Sequence, residues 1–600
     1  MFVVCFIMIM AFKLLFTIVI ILVIKVISNR KIKNQKKYYA KLIKSKNIDE
    51  SKFVPRKRAD LLDKATETSF DICVIGGGST GVGVALDAAT RGLKVCLIET
   101  GDFASGTSSK STKLLHGGVR YLEKALRYGS FNQFKLVIDA LSERHKIMYL
   151  APYLSSTIKI VLPLYKKAHI FFYWFLLKLY DFMSFGKSLG RSYFIEEEIV
   201  QEYFSRCKRR DLVGGVVYYD GSFDDGRMNV MLSVTAEYYS AICLNYVKFI
   251  SFDNLNKITA VECIDMLTDT SIKIRSKVFI NATGSHTDLI RGNKKQIMVH
   301  SSGAHIVLPN RFAPEQMGMV DRRTDDKRVL FIVPYKNCIV AGSTERLAKG
   351  PSDIKPTKDE IKFILNEVQK YNRKKIDLSE VKAVWKGIRP LVKSDDQKGG
   401  SENLVRGFKI IDDKNNLITI TGGKWTTYRK AAEEVINYTV KTFFNTKTLS
   451  YCLTEEIKIL GSRNYSRDLY YTISSHLKID IEYAKHLLEN YGSFAFKLEK
   501  YLKINSNKII NNYQFRYGEV LYVLENEYAH TVGDIVNRRF GISLIDVNDA
   551  MEMGNLIIDF LIKSNLLEKE KAEKAKSLFI EELEQFGYKL LIRKDKKGIK

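Results

Sequence analysis

A short glycine-rich segment between two apolar runs limits the fold of this chain more than any other feature. The apolar run at residues 70–75 leads into Gly-Gly-Gly-Ser-Thr-Gly at 76–81, and a second apolar run ends at Glu99. The residues between them, 82–91, have the pattern of a helix. Strand, G-x-G-x-x-G, helix, strand and acid in this order are typical of a dinucleotide-binding βαβ unit. The alternative is a glycine-rich turn without a ligand.

Each residue of the segment has a physical role in such a site. Gly76 permits the tight turn, Gly78 lets backbone N–H groups approach a pyrophosphate, and Gly81 allows the helix to pack closely on the strand. Glu99 can accept hydrogen bonds from ribose hydroxyls. FAD and NAD sites share this pattern, so it does not choose between them. The predicted cofactor contacts in this unit are Gly76, Gly77, Gly78, Ser79, Thr80, Gly81 and Glu99.

The segment that follows decides the cofactor. Residues 105–123 read Ser-Gly-Thr-Ser-Ser-Lys-Ser-Thr-Lys-Leu-Leu-His-Gly-Gly-Val-Arg-Tyr-Leu-Glu, and further motifs lie at 218–229, 281–284, 303–309, 387–391 and 422–430. In these motifs the chain resembles the FAD-dependent glycerol-3-phosphate dehydrogenases, membrane-bound enzymes that pass electrons to quinone. The resemblance covers roughly residues 69 to 585. It implies FAD as the cofactor and glycerol 3-phosphate as the substrate.

The resemblance also implies the architecture. We expect an α/β fold in which a Rossmann-like FAD-binding domain is interleaved with a mixed-sheet substrate domain, as in FAD-dependent oxidoreductases similar to D-amino-acid oxidase. A C-terminal α-helical domain follows, where apolar residues recur at spacings of three and four. The predicted divisions are an apolar anchor or targeting segment at 1–28, a basic linker at 29–68, the oxidoreductase at 69–445, the helical domain at 446–587 and a basic tail at 588–600.

The implied reaction needs a base and a clamp for a phosphate dianion, since oxidation at C2 removes a hydride and a hydroxyl proton. His305 stands in an alternating strand and is the predicted general base, because histidine titrates near neutral pH. Without the family, a structural histidine would be the simpler interpretation. The predicted catalytic residues are His305, Arg389 and Arg120, and the residues expected around the substrate are Arg120, Tyr121, Arg389, Arg406, Lys424 and Thr426.

Several of these roles have alternatives. Arg389 could hold the phosphate or steady the developing alkoxide, and Arg406 could be a surface arginine, because its flanks match the family pattern only loosely. Local cap or turn residues are the alternative for the further flavin contacts that the resemblance implies. Those contacts are Thr107, Ser109, Ser111, His116, Gly284 and Gly423.

One position departs from the family pattern. The family usually has a basic residue two or three positions before the histidine, whereas this chain reads Ser301-Ser302-Gly303-Ala304-His305. One positive neighbour of the base is therefore expected to be missing, which would change the electrostatic environment of His305.

The net charge of +28 suggests an anionic partner: nucleic acid, membrane lipid or a phosphorylated substrate. Residues 1–58 hold 14 basic and two acidic residues, and 588–600 hold six and one, so most of the excess lies in the two ends. Residues 1–27 are nearly all apolar, and a basic run follows at 30–46. This predicts binding to a phospholipid membrane and argues against nucleic acid.

Three interpretations of residues 1–27 stay open: a retained membrane anchor, a processed targeting segment and a buried helix. Lys13 counts against a span, because a lysine near the bilayer centre is costly. The family and the absence of acids before Asp49 favour the mitochondrial inner membrane. A homodimer is a further possibility.

Residues 158–185 are dense in aromatic side chains with interspersed lysines. They predict an interfacial helix where a quinone could collect electrons, and a core helix is the alternative. The eight cysteines are scattered without metal-ligand spacing, so free buried thiols and no metal site are expected. No EF-hand loop occurs, since residues 546–551 lack its glycine and terminal glutamate.

Two rival functions share the flavin fold. A glycerol-3-phosphate oxidase would use the same pocket and pass electrons to oxygen. A non-catalytic interaction protein would be expected to have lost the glycine triplet, the base or the phosphate clamp, and this chain retains all three.

Overall fold

The computed structural model describes residues 50–592 apart from 205–210, 255, 293, 314–316, 323, 325–328, 373, 394–406 and 445–450. The described strands form two sheets. They are β1 Ser69–Ile75, β2 Val95–Ile98, β3 Leu114–Leu115, β4 Ser155–Leu164, β5 Tyr193–Ile195, β6 Gly214–Phe223, β7 Ile242–Leu244, β8 Val247–Phe252, β9 Ala260–Asp265, β10 Thr270–Asn281, β11 Met298–Pro309, β12 Met317–Asp321, β13 Leu330–Tyr335, β14 Cys338–Gly342, β15 Arg346–Leu347, β16 Ala383–Val392, β17 Phe408–Asp412 and β18 Leu417–Gly422.

Helices cover the sheets and form most of the chain after residue 468. The described α-helices are α1 Arg58–Glu67, α2 Ser79–Thr90, α3 Val119–Tyr128, α4 Phe131–Leu150, α5 Lys167–Phe182, α6 Glu197–Tyr203, α7 Asp225–Tyr238, α8 Thr287–Arg291, α9 Lys358–Gln369, α10 Tyr428–Phe443, α11 Leu469–Leu477, α12 Ile481–Tyr491, α13 Glu499–Ile504, α14 Tyr517–Asn526, α15 Val547–Lys563, α16 Ala572–Leu583 and α17 Tyr588–Leu591.

The first sheet has a parallel centre. Its strand order is β17-β18-β10-β1-β2-β7, with β8 and β9 attached beside β10. Strand β1 pairs in parallel with β10 and β2, and β18 pairs in parallel with β10. The carboxyl ends of these strands therefore meet at one edge, where ligands of open α/β sheets bind. Helix α2 starts at that edge, directly after β1.

The second sheet is mixed. Its order is β15-β11-β14-β13-β12-β4-β6-β3, with β16 beside β11 and β5 beside β6, and the β12–β4 pair is parallel. Strands of the two sheets alternate in groups along the chain: β1–β2, β7–β10 and β17–β18 belong to the first, and the groups between them to the second. The predicted interleaved α/β fold is confirmed, and so is the helical C-terminal region.

Two predictions change in detail. Part of the predicted linker at 29–68 is folded, because helix α1 packs on the first sheet and Arg58 forms an ion pair with Asp265 at 2.6 Å. The aromatic stretch at 158–185 is not one helix, since its first residues belong to strand β4 and only 167–182 are helical. Residues 1–49 and the tail from 593 lie outside the described residues.

None of the described helices combines the length and the apolar composition that crossing a bilayer requires. The six described cysteines are free and buried, as predicted, and Cys5 and Cys207 lie outside the described residues.

Buried ion pairs attach the C-terminal helical region to the first sheet. Asp102, in the loop after β2, accepts hydrogen bonds from Arg539 Nη2 at 3.0 Å and from Arg538 Nε at 2.5 Å. Arg227 on α7 pairs with Glu527, and both side chains are buried. The loop that follows Glu99 is therefore held by residues more than 400 positions later.

Candidate functional site

A cavity of about 720 Å³ lies between the carboxyl edge of the first sheet and the second sheet. Its wall combines residues from the glycine turn, the segment around residue 110, strands β11 and β16, and the turn after β18. The predicted site residues that line it are Gly76, Gly78, Ser79, Thr80, Glu99, Thr107, Ser111, His116, Arg120, Tyr121, Gly284, His305, Arg389, Gly423, Lys424 and Thr426.

Three of the described residues that were predicted for the site are placed differently. Gly77, Gly81 and Ser109 are not among the residues that line the cavity. Gly77 donates its N–H to Glu99, and Ser109 is buried with its carbonyl accepting a hydrogen bond from Lys113 Nζ. Gly77 and Ser109 therefore contact residues of the wall from behind. Arg406 lies outside the described residues.

The glycine turn has the shape of a phosphate cradle. Gly76 has a φ of +110°, and a Cβ there would lie 2.7 Å from the carbonyl oxygen of Ala282. A Cβ at Gly81 would lie 1.9 Å from the carbonyl oxygen of Gly76. Gly78 is the N-cap of helix α2, so the N–H groups of the first helical turn lie at the cavity edge, where that of Ser79 donates to Ser108 Oγ at 3.0 Å. Side chains are excluded where a pyrophosphate would approach the backbone.

Glu99, the predicted ribose acceptor, lies at the cavity edge beside the glycine turn. Its carboxylate accepts hydrogen bonds from the N–H groups of Gly77 at 2.6 Å and Gly101 at 2.9 Å, and it lines the cavity. Burial raises the pKa of this carboxyl group, although these N–H groups act in the opposite direction. The cradle, the acid and the cavity volume fit a dinucleotide cofactor.

His305 is a buried neutral base candidate. Its Nε2 lies 2.9 Å from the hydroxyl of Thr112, and its ring stacks on Trp385 with centroids 5.4 Å apart. Burial holds the pKa of the imidazole well below its usual range, and the positive charges of Arg389 and Lys113 act in the same direction. The ring is therefore unprotonated at neutral pH and able to accept a proton.

Arg389 lies one strand away from His305, because β16 pairs with β11. Its guanidinium donates hydrogen bonds to the carbonyl of Ser302 at 3.1 Å and to the hydroxyl of Ser343 at 2.6 Å. The basic residue that the family usually has just before the histidine is missing here, as the sequence shows. Arg389 and Lys113 supply positive charge although Ser301 and Ser302 replace the usual basic residue.

Cations and a phenol gather at another part of the wall. Arg120 and Tyr121 are in the first turn of α3, and Lys424 Nζ lies 3.9 Å from the centroid of the Tyr121 ring. Thr426 is buried in the short helical turn Trp425–Thr427 that precedes α10. Planar guanidinium and ammonium groups are the usual partners of a phosphate dianion.

Other cavity residues were not predicted. The Thr112 hydroxyl is hydrogen-bonded to the His305 ring, and Asp220 accepts a hydrogen bond from the N–H of Gly117 at 3.2 Å. Lys110 donates a hydrogen bond to the side chain of Gln585 in the C-terminal region. Burial lowers the pKa of Lys110 to about 8. Thr112 and Lys110 stand within the quoted 105–123 segment, whereas nothing in the sequence signals Gln585.

The cavity also reaches helix α5. Tyr173 of α5 and Arg322 line it, and the Arg322 guanidinium forms an ion pair with Glu123 at 2.5 Å. The outer face of the same helix exposes several large aromatic side chains. These are Phe171, Phe172, Trp174, Phe175 and Phe182, of which Phe171 is 75% exposed.

Comparisons with known proteins agree with this geometry. A family profile described as FAD dependent oxidoreductase matches residues 71–429, and one described as C-terminal domain of alpha-glycerophosphate oxidase matches 452–572. The chain is 39% identical over 545 residues to a probable glycerol-3-phosphate dehydrogenase of Encephalitozoon cuniculi, covering 90% of this chain and 88% of that protein.

A mitochondrial glycerol-3-phosphate dehydrogenase of Rattus norvegicus is 36% identical over 563 residues, 89% of this chain and 76% of that protein. Among solved structures, glycerol-3-phosphate dehydrogenase from Bacillus halodurans complexed with FAD is similar with a TM-score of 0.72 at 25% identity, over 89% of this chain and 98% of that one. With the oxidoreductase profile spanning both sheets, the chain is an FAD-dependent enzyme and belongs to the glycerol-3-phosphate dehydrogenase family.

Proposed function

We propose that this chain oxidises sn-glycerol 3-phosphate to dihydroxyacetone phosphate and passes the electrons to a membrane quinone. The observation that carries the proposal is a single cavity that combines a dinucleotide cradle, a neutral buried histidine and several cations. A non-catalytic flavin-fold protein would not need the base and the clamp together.

In this proposal the glycine turn at 76–81 and Glu99 would hold FAD, which would supply an acceptor for the hydride of substrate C2. His305 accepts the proton of the C2 hydroxyl, and Arg389 beside it stabilises the negative charge that develops on that oxygen. The pKa of the imidazole, lowered by burial, keeps it ready to accept a proton at neutral pH.

Arg120, Tyr121 and Lys424 are the proposed phosphate clamp, with Thr426 beside them. A dianion would be attracted by the guanidinium and the ammonium, and the phenol of Tyr121 can donate a further hydrogen bond. Arg406 stays a predicted member of this clamp.

The direct test is anaerobic reduction of the bound flavin. Addition of sn-glycerol 3-phosphate is expected to bleach the flavin absorbance near 450 nm on the order of seconds or faster, whereas sn-glycerol 1-phosphate serves as a stereochemical control. An unchanged spectrum would contradict the proposal. Oxygen uptake without added quinone would favour the oxidase alternative instead.

The pH dependence of flavin reduction follows from the lowered pKa of His305. A base must be unprotonated, so the rate at saturating substrate is expected to stay level from about pH 7.5 to about 6.5 and to fall only below the ordinary histidine value. Stopped-flow absorbance measures this rate directly. An acidic limb centred above about pH 6.5 would contradict the assignment.

Gly303→Ala tests the position of Arg389. A Cβ at residue 303 would lie 2.3 Å from Nη2 of Arg389 and would displace the guanidinium. We expect flavin reduction to slow by about 100-fold, because small displacements of a catalytic group are costly, while the fold is retained. Gly350→Ala is the matched control, since no heavy atom of the described residues other than its own chain neighbours lies within 4 Å of its added Cβ. Equal rates for both variants would argue against this role.

Helix α5 supports the quinone and membrane part of the proposal. Phe171 and Phe182 are 75% and 58% exposed on a helix whose Tyr173 lines the cavity. Exposed aromatic side chains of this kind insert into the headgroup region of a bilayer. A quinone dissolved in the membrane would then reach the cavity beside this helix. The positively charged ends of the chain would add attraction to anionic lipid.

The variant Phe171→Ser/Phe182→Ser distinguishes reduction of the flavin by substrate from the later transfer of electrons to quinone. We expect unchanged anaerobic flavin reduction, weaker flotation with phosphatidylcholine–phosphatidylglycerol vesicles and slower reduction of a vesicle-embedded ubiquinone. Tyr471→Ser is the control, because it removes from α11 an aromatic side chain that is as exposed as Phe182. Wild-type flotation of the double variant would contradict the membrane role. The mitochondrial inner membrane and a homodimer stay predictions, for fractionation and light scattering to test.

A further inference from the structure

The hydroxyl of Thr112 is the hydrogen-bond partner of the His305 ring. Thr112 Oγ1 lies 2.9 Å from His305 Nε2, and the other ring nitrogen, Nδ1, is buried without a hydrogen-bond partner among the described residues. Stacking on Trp385 fixes the plane of the ring but does not distinguish its two edges. Among the described residues, the Thr112 hydroxyl is therefore the hydrogen-bonding group that orients the base within that plane, while the ring edge also packs against Gly342.

Thr112 is itself held firmly. Asp225, at the start of α7, accepts the N–H of Ser111 at 3.0 Å and an ammonium hydrogen bond from Lys113 at 2.5 Å. Lys113 also donates to the carbonyl of Ser109 at 2.7 Å, and its side chain is fully buried. The residues on either side of Thr112 are thus tied to a helix start 112 positions later.

A hydroxyl is suited to a base that changes its protonation state. It can donate a hydrogen bond to an unprotonated ring nitrogen and can accept one from a protonated nitrogen. The Thr112 contact can therefore persist when His305 gains a proton, whichever nitrogen takes it. A methyl group in the same place could do neither.

We propose that Thr112, fixed by the Lys113–Asp225 pair, is the positioning residue that orients His305 for proton removal. This inference rests on the proposed function for the identity of the substrate. It assigns no direct contact between Thr112 and the substrate, and the proton passes from the C2 hydroxyl to His305 as described above.

The test compares Thr112→Val, which keeps the shape and removes the hydroxyl, with Thr112→Ser, which keeps the hydroxyl. At saturating sn-glycerol 3-phosphate we expect anaerobic flavin reduction to slow by about 10- to 100-fold in Thr112→Val and to stay within about threefold of wild type in Thr112→Ser. The concentration of substrate giving half-maximal rate should change little. The midpoint of the acidic limb should move only in Thr112→Val.

Thr439→Val is the control for the loss of a buried threonine hydrogen bond, since its hydroxyl bonds the Val435 carbonyl inside α10. A wild-type rate in Thr112→Val, or equal loss in Thr112→Ser, would overturn the inference.

A second readout does not depend on turnover. In protein labelled with ¹⁵N-histidine, the His305 ring signals are identified by their absence in His305→Asn. They are expected to shift in Thr112→Val and to persist in Thr112→Ser. Unshifted signals in Thr112→Val would overturn the inference. Failure of the wild type to be reduced by the substrate would instead count against the proposed function, and the spectra would still decide the role of Thr112.

Discussion

His305→Asn is expected to lower the rate of anaerobic flavin reduction by about 100- to 10,000-fold, the usual contribution of a general base. Asparagine fills part of the same slot against Trp385 and offers a hydrogen-bonding group to Thr112, but it cannot accept the substrate proton. FAD content and the melting temperature should stay close to wild type, because the hydrogen bond and the ring stacking of this side chain involve Thr112 and Trp385 rather than the glycine turn.

The comparison variant is His476→Asn, which changes an exposed histidine of α11 that faces Glu499. It should reduce flavin at the wild-type rate. If His305→Asn retained more than about a tenth of the wild-type rate, the proton acceptor would have to be another group.

Arg539→Met is expected to destabilise the folded protein by about 3 kcal/mol and to weaken the retention of FAD. Asp102 and Arg539 are both fully buried, so removing the arginine leaves a carboxylate with fewer compensating charges. Because Arg538 still pairs with Asp102, we expect the loss of stability to be at the lower end of the range for broken buried ion pairs. The loop concerned directly follows Glu99, the predicted ribose acceptor. Urea unfolding followed by FAD fluorescence measures both effects.

Lys277→Met provides the matched exposed case. The Lys277 side chain is 65% exposed and forms an ion pair with Asp71. Ion pairs between exposed side chains contribute less than about 1 kcal/mol to the stability of the folded protein. The double variant Asp102→Asn/Arg539→Met should recover part of the stability, because both charges are then gone. Equal urea midpoints for Arg539→Met and Lys277→Met would show that the buried pair does not fasten the loop.

The glycine turn and Glu99 were predictable because their chemistry is local. A strand, a turn whose Gly76 has a φ that favours glycine, and a helix start occupy adjacent positions, so sequence order alone specifies their geometry. His305 and Arg389 were found by resemblance, and the structure adds the reason that they meet: their strands are neighbours in the second sheet.

Contacts between distant positions could not be predicted. Thr112 and His305 are 193 residues apart, and Asp102 and Arg539 are 437 apart, so no spacing rule connects them. The aromatic stretch shows a different difficulty. Residues 160–164 of β4 are buried, and a continuous apolar run gives no periodicity that separates a buried strand from a helix.

The alternation of the two sheets along the chain has a consequence for synthesis. Residue 75 at the end of β1 pairs with Asn281, and Asn281 pairs in turn with Thr419, so the parallel centre of the first sheet needs segments made far apart in time. The glycine cradle leaves the ribosome early, yet Ala282, which packs against it, and Gly423, which lines the same cavity, arrive about 200 and 340 residues later. Cofactor can bind only once nearly the whole oxidoreductase region exists, which makes long-lived, cofactor-free intermediates and a need for chaperones expected properties of this chain.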